Sequence, residues 1–420
     1  YDAATQTYTL KLRQETPPTP GQPTKSPLVI PVKFGLIGPN GSPMGWSGVS
    51  GAEVRDEMIV FKDERVGVTF TGVPNRPVPS LLRGFSAPVI LESGASREDR
   101  LLLARHDSDP FNRWQALQDV GMELAVESVG GKPLDAGAVS ALTDAMRETL
   151  ASETLDDAFK ALALSLPDEQ AIGRQIGKDI DPDAIHTARK RLQKAVFEPM
   201  GGQMLDVYKA LTSTAPYAPD PASTGRRALR NRMLALLVAS EAPGGAALAA
   251  QQYETATNMT DRLAALSTAS AAGTSDAPAM LSDFRTRFGG DPLVLDKWLA
   301  VTASAPRDGV IEDMKAILSD PTFPRTNPNR LRSLVGTFAM GNPTQFARAD
   351  GAGFRFVADF VAEVDRINPQ VAARVLTGFR VWPMLDAARR EAAKAALSGL
   401  ETRGTLSRNT ADILTRMLAG

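Results

Sequence analysis

The hydrophobic period of this chain changes once, near residue 95, and that change limits its fold more than any single motif does. Before it, apolar residues alternate with polar ones. Tyr8, Leu10 and Leu12 interleave with Thr9, Lys11 and Arg13, and Ile30, Val32, Phe34 and Leu36 share a parity that puts them on one face of an extended strand. Further short apolar segments at 57–62, 66–71 and 85–91 are separated by turn-forming runs such as PNG at 39–41 and PNR at 74–76. Pro31 has no N–H to give to a ladder, so it predicts an edge or a bulge in its strand. Residues 1–95 are therefore expected to form an Ig-like antiparallel β-sandwich of roughly seven short strands.

From Ser96 onward Ala, Leu, Arg, Glu and Met dominate, and apolar residues recur three and four positions apart. Asp-Pro and Asn-Pro pairs punctuate this region at 109–110, 181–182, 291–292, 320–321, 327–328, 342–343 and 368–369. Each pair predicts a helix start, because the Asp or Asn can cap the unpaired first amides and proline lacks only an N–H that would be unpaired there. Residues 96–420 are expected to form a large all-α superhelical, solenoid-like domain built from helical hairpins, without a strict repeat. The Pro-, Ala- and Ser-rich stretch 215–225 and the Ala-, Gly- and Ser-rich stretch 269–279 read as inter-helix loops.

Composition excludes several kinds of partner and chemistry. The 420 residues carry 47 basic and 48 acidic side chains, a net charge of −1, which offers no long-range attraction to nucleic acid or an anionic membrane. The cluster Arg226, Arg227, Arg230 and Arg232 lacks interleaved aromatics and reads as a salt-bridged helix face. No cysteine is present, and the two histidines, His106 and His186, lie eighty residues apart. A zinc peptidase site needs two histidines one helical turn apart and a third ligand. No catalytic residue, metal ligand or cofactor is therefore assigned within this chain. There is no nucleophile elbow, Walker loop or dinucleotide fingerprint either. The chain opens at Tyr1 directly into a strand-like pattern, as an excised domain would, and the absence of an export signal in its first residues leads us to expect a cytoplasmic location.

A series of segments, in order, carries a family resemblance. YTLKLRQ at 8–14, TPPTPGQ at 16–22 and PLVIPV at 27–32 resemble the opening of the Ig-like third domain of bacterial alanyl aminopeptidases of the aminopeptidase N type. PVPSLLRGFSAPV at 77–89 resembles the end of that domain, and RHDSDPFNRW at 105–114 the first helical segment of the next. NMTD at 258–261, DKW at 296–298, NPNRLRSL at 327–334 and NPQVAAR at 368–374 follow in the family's order. The resemblance implies the C-terminal half of a zinc aminopeptidase that removes N-terminal residues from peptides. Zinc would belong to the full-length parent, since H-E-x-x-H and G-A-M-E-N are both absent here. The implied role of this part is to cap and shape the substrate chamber. Its implied partners are the parent's N-terminal and catalytic domains and peptide substrates.

Spacing and resemblance together single out three side chains. Asn368 and Pro369 read as cap and first helical position, which places Gln370 and Arg374 one turn apart on one face. The resemblance implies that Gln370 borders the pocket for the first substrate residue and that Arg374 offers charge to the peptide beyond the scissile bond. Arg332 matches a chamber-facing position, whereas Arg330 is expected to serve a salt bridge. Asn258, Thr260 and Asp261 read as a helix start, with Thr260 or Asp261 as its cap. Trp114, Trp298 and Trp382 read as core. A rival reading is a free-standing helical-repeat scaffold that binds another protein.

Overall fold

The alternating segments become two antiparallel sheets in the computed structural model, which describes residues 1–213, 215–402 and 406–419. β1 (Thr7–Arg13), β6 (Arg65–Thr71) and β3 (Gly48–Ser50) form one sheet in the order β1-β6-β3. β4 (Val54–Arg55), β5 (Met58–Phe61), β2 (Ile30–Ile37) and β7 (Val78–Leu81) form the other, in the order β4-β5-β2-β7. The β1–β6 register sets Tyr8 opposite Phe70 and Leu10 opposite Val68, so the period-two pattern puts one parity inward. Phe34 and Phe70 meet at 5.3 Å between ring centroids, with Trp46 against both. Around them Leu10, Val32, Leu36, Ile59, Phe61, Val68 and Val73 close the sandwich core.

Two expectations change in this region. β2 pairs with β5 over residues 30–33 and with β7 over 34–37, so Pro31 lies where the β7 side of the strand is open. Its missing N–H leaves no broken ladder. The segment 85–91, expected as a strand, is not one: β7 ends at Leu81, Arg83–Phe85 makes a 3-10 turn, and 87–95 runs without regular structure. Ile90 there is 94% exposed, so its apolar side chain has no sheet to pack on.

The described chain forms two compact units, 1–123 with 136–166, and 124–135 with 167–420. The first contains the sandwich, helices α1 (Arg97–His106) and α3 (Ala136–Ala151) and the first part of α2 (Pro110–Val129), with α1 packed on both β7 and α3. Ser96 and Asp99 form a capping box at the start of α1, and Asp99 also takes both guanidinium nitrogens of Arg76, at 2.8 and 2.7 Å. Three polar residues of the segment 105–114 turn onto the sandwich, while Arg105 pairs with Glu148 of α3. Asp107, fully buried, pairs with Arg83 at 2.8 Å; Asn112 donates to Ser80 Oγ and the Leu81 carbonyl; Asp109 accepts from the Gly84 amide.

The second unit is helical among its described residues. Of the eight Asp-Pro and Asn-Pro pairs in the chain, seven start helices, Pro110–Val129, Pro182–Phe197, Pro221–Ala239, Pro292–Ser304, Pro328–Leu331, Pro343–Phe346 and Pro369–Leu376; Asp220-Pro221 thereby makes the second half of the stretch 215–225 helix where a loop was expected. Asp320-Pro321 does not. Its aspartate ends the helix Val310–Ser319 and turns its carboxylate to the Thr322 amide and hydroxyl, which satisfies a turn instead. The stretch 269–279, expected as a loop, is mostly helix: Met259–Ala272 ends at Gly273 in the left-handed conformation, and Ala277–Phe288 starts four residues later. Alanine there favours helix, and glycine with φ +65° supplies the stop.

Gly353 permits a close crossing, because a Cβ there would come within 2.3 Å of the Gln345 and Phe346 carbonyl oxygens. Phe346 and Phe354 consequently meet edge-to-face at 5.0 Å, within a cluster that includes Phe338, Phe356 and Phe379. A polar clasp joins distant parts of this unit. Buried Arg389 donates to the Ala347 carbonyl at 2.8 Å and pairs with Asp386, Asp181 and Asp183, beside a parallel bridge between Ile180 and Leu385. Trp298 and Trp382 are buried as expected, while Trp114 in the first unit is half-buried against Phe111.

Candidate functional site

Asn368 starts the helix Pro369–Leu376 as the sequence predicts, its side chain accepting from the Val371 amide at 3.2 Å with Pro369 next in the chain. The helix buries Val371, Ala372, Ala373, Val375 and Leu376 against the helices Ala352–Asp365 and Arg408–Ala419. Gln370 and Arg374, one turn apart, are left exposed together. Among the described residues neither side chain has an ion pair or hydrogen bond. The same helix packs against a π-helical turn, Arg332–Gly336, which carries Arg332.

That turn lies within a helical run that begins at Pro328, where the Asn327 side chain accepts from the Asn329 amide at 2.9 Å. Its two arginines separate. Arg330 is buried in an ion pair with Asp296 of the helix Pro292–Ser304, as a structural arginine should be. Arg332 is exposed, its Nε donating to the Pro328 carbonyl at 3.1 Å and Nη2 to Asn329 Oδ1 at 2.7 Å. It opens on a cleft of about 390 Å³ lined by Leu293, Asp296, Lys297, Asn329, Arg332 and Ser333. Gln370 and Arg374 are not in that lining. The three predicted residues therefore lie on adjoining segments but not in one pocket. In the sequence Lys297 stands out only as part of the segment 296–298.

Other candidates resolve into structure. Asn258, not Thr260 or Asp261, caps the helix Met259–Ala272, because its Oδ1 reaches the Asp261 amide at 2.9 Å. Asp261 instead takes Asn231 Nδ2 and Asn258 Nδ2, both at 2.9 Å, inside a network with Gln252, Tyr208 and Arg230. Arg230 lies over the Tyr208 ring at 4.7 Å, and burial pushes the Tyr208 phenol above its ordinary range. His186 pairs with Glu169 at 2.7 Å. Among the described residues no group of three His, Asp or Glu side chains is placed to hold a metal ion.

Two family models cover the chain: "Domain of unknown function (DUF3458) Ig-like fold" matches residues 1–94, and "Domain of unknown function (DUF3458_C) ARM repeats" matches 97–419. The chain belongs to the DUF3458 family. Its DUF3458 Ig-like and ARM-repeat parts fit the C-terminal part of an aminopeptidase N. The aminopeptidase N of Caulobacter vibrioides is 36% identical over 376 residues, 89% of this chain and 43% of the relative. That of Escherichia coli is 34% identical over 423 residues, 100% of this chain and 48% of the relative. This DUF3458 chain thus spans about half the length of the curated relatives it matches. Its fold is similar to that of Legionella pneumophila aminopeptidase A, solved in complex with aspartic acid, with a TM-score of 0.85 at 24% identity over 100% of this chain and 48% of that one. No helix among the described residues is long and apolar enough to cross a membrane.

Proposed function

We propose that this chain caps and shapes the substrate chamber of a cytoplasmic, zinc-dependent aminopeptidase N that removes N-terminal residues from peptides. Zinc and the reacting groups belong to the rest of the parent, which is this chain's principal partner. The carrying observation is the pair Gln370 and Arg374, two polar heads without a partner among the described residues, one turn apart on a helix whose other face is buried. A side chain fixed by a packed helix presents charge to a ligand at little ordering cost. Arg374 offers its guanidinium to the peptide beyond the scissile bond, Gln370 borders the pocket for the first residue, and Arg332 adds charge on the adjoining turn.

The test is steady-state kinetics on this chain joined to the remaining part of its parent. Arg374→Ala is expected to lower kcat/KM on longer peptides about ten- to a hundredfold, the worth of a charged hydrogen bond, while sparing single-residue chromogenic amides. Gln370→Ala is expected to reorder preference among N-terminal residues. Unchanged kinetics for both variants on every substrate would leave only a steric role. A reading frame upstream of Tyr1 without H-E-x-x-H would favour the scaffold reading instead.

A further inference from the structure

One helical turn at 296–298 divides its side chains among three environments. Trp298 is buried, its Nε1 donating to the Leu281 carbonyl at 2.9 Å. Asp296 is engaged by buried Arg330. Lys297, between them, is exposed, lines the cleft of about 390 Å³, and has no ion pair among the described residues. Arg332 lines the same cleft, also exposed and without a carboxylate partner among the described residues.

The acidic groups at hand are already occupied. Asp296 has Arg330, and Asp291 accepts from the Leu293 and Val294 amides at 2.8 and 3.2 Å as the cap of its helix. Asp296 also lines the cleft, but Arg330 offsets its charge, so Lys297 and Arg332 leave the lining net positive among the described residues, which attracts an anion. Arg332 is also positioned in advance, since its bonds to the Pro328 carbonyl and Asn329 Oδ1 fix the guanidinium and leave other N–H groups unengaged. Asn329 Oδ1 accepts from Arg332, so its amide nitrogen remains a donor, and Ser333 adds a hydroxyl. Leu293, 73% exposed, supplies an apolar flank. The π-helical turn Arg332–Gly336 carries Arg332 and Ser333, and such turns inside helices recur at functional sites.

We infer that this cleft is a carboxylate-binding site for peptides, with Lys297 and Arg332 as its cationic contacts and Asn329 and Ser333 as neutral donors. The inference rests on the peptide-chamber reading for its ligand but is testable on this chain alone. A peptide's C-terminal carboxylate and an aspartate side chain carry the same chemistry, and the test separates them.

Three probes would be titrated by saturation-transfer NMR: pentaalanine with a free carboxylate, pentaalanine amide, and the amide with aspartate at its third position. The free acid is expected to bind about tenfold more tightly than the plain amide, the sum of two solvent-exposed charge contacts, and the advantage should shrink as salt is raised. The combined Lys297→Met and Arg332→Met variant should bind both with the amide's affinity. If the aspartate-bearing amide matches the free acid, the site takes any peptide carboxylate; if it matches the plain amide, the site takes the C-terminus. Equal binding of acid and amide, no binding of either, or an acid preference that survives in the variant would overturn the inference. None of these results depends on Gln370 or Arg374, so this site can fail while the chamber reading stands, and the reverse.

Discussion

The segments 105–114 and 327–333 look alike as sequence, each an Asp- or Asn-Pro helix start crowded with arginine and asparagine, yet their polar groups meet different fates. In the first, Asp107, Asp109 and Asn112 are all bonded to the sandwich residues Arg83, Gly84, Ser80 and Leu81. In the second, only Arg330 is turned inward, while Arg332, Asn329 and Ser333 line an open cleft. A polar side chain fully occupied by its own fold holds elements together. One held in place yet left with free donors is available to a ligand.

The largest effect separating the two segments is expected for Asp107→Ala. Arg83 would be left nearly buried, at 13% side-chain exposure, without its partner. Removing one member of a buried pair costs about 3–5 kcal/mol, so urea unfolding followed by hydrogen exchange at the Leu10 and Phe70 amides should show the sandwich weakened by that order. A loss no larger than that of Arg332→Ala would erase the distinction drawn between the segments.

A smaller effect should appear with pH at Asp99. Arg76, bonded to both of its oxygens, holds its carboxyl below the ordinary carboxylate range. A depressed folded-state value means that the pair stabilises the fold above the ordinary value of about 4, and that this stabilisation is lost as pH falls through the lowered one. Arg76→Met should therefore melt earlier than the native chain at pH 6, with the gap closing below pH 4. A gap that stays constant over that range would mean packing, not charge, is what Arg76 contributes.

The smallest effect is expected at the exposed residues. Gln370→Ala, Arg374→Ala and Arg332→Ala should each shift stability by about half a kcal/mol or less, because none has a buried partner to orphan. Thermal melts of the three variants check this. A shift above about 1 kcal/mol at Arg332 would place it with Arg330 as a structural residue.

Local chemistry was legible in the sequence wherever the residues concerned are neighbours in the chain. The alternation of β1 and β2, the change to helix after Ser96, and the caps at Asp181, Asp291, Asn327 and Asn368 each depend on groups within a few positions. Asp320-Pro321 failed as a helix start because the same aspartate can satisfy a turn, and adjacent residues do not say which it will do. The alanine-rich stretch after 269 was misread for a related reason: small residues suit loops by composition and helices by propensity.

Which polar groups bind the fold together was decided by tertiary structure alone. Arg83 and Asp107 are 24 residues apart, Arg330 and Asp296 are 34 apart, and Arg389 and Asp183 are 206 apart. Helical periodicity put Gln370 and Arg374 on one face, but only packing of the opposite face left both exposed. Likewise the sequence displayed Asp296, Lys297 and Trp298 as one run without ranking them. Burial assigned the tryptophan to the core, Arg330 took the aspartate, and the lysine was left facing an open cleft, because charge and apolar surface are sorted by what surrounds them in space.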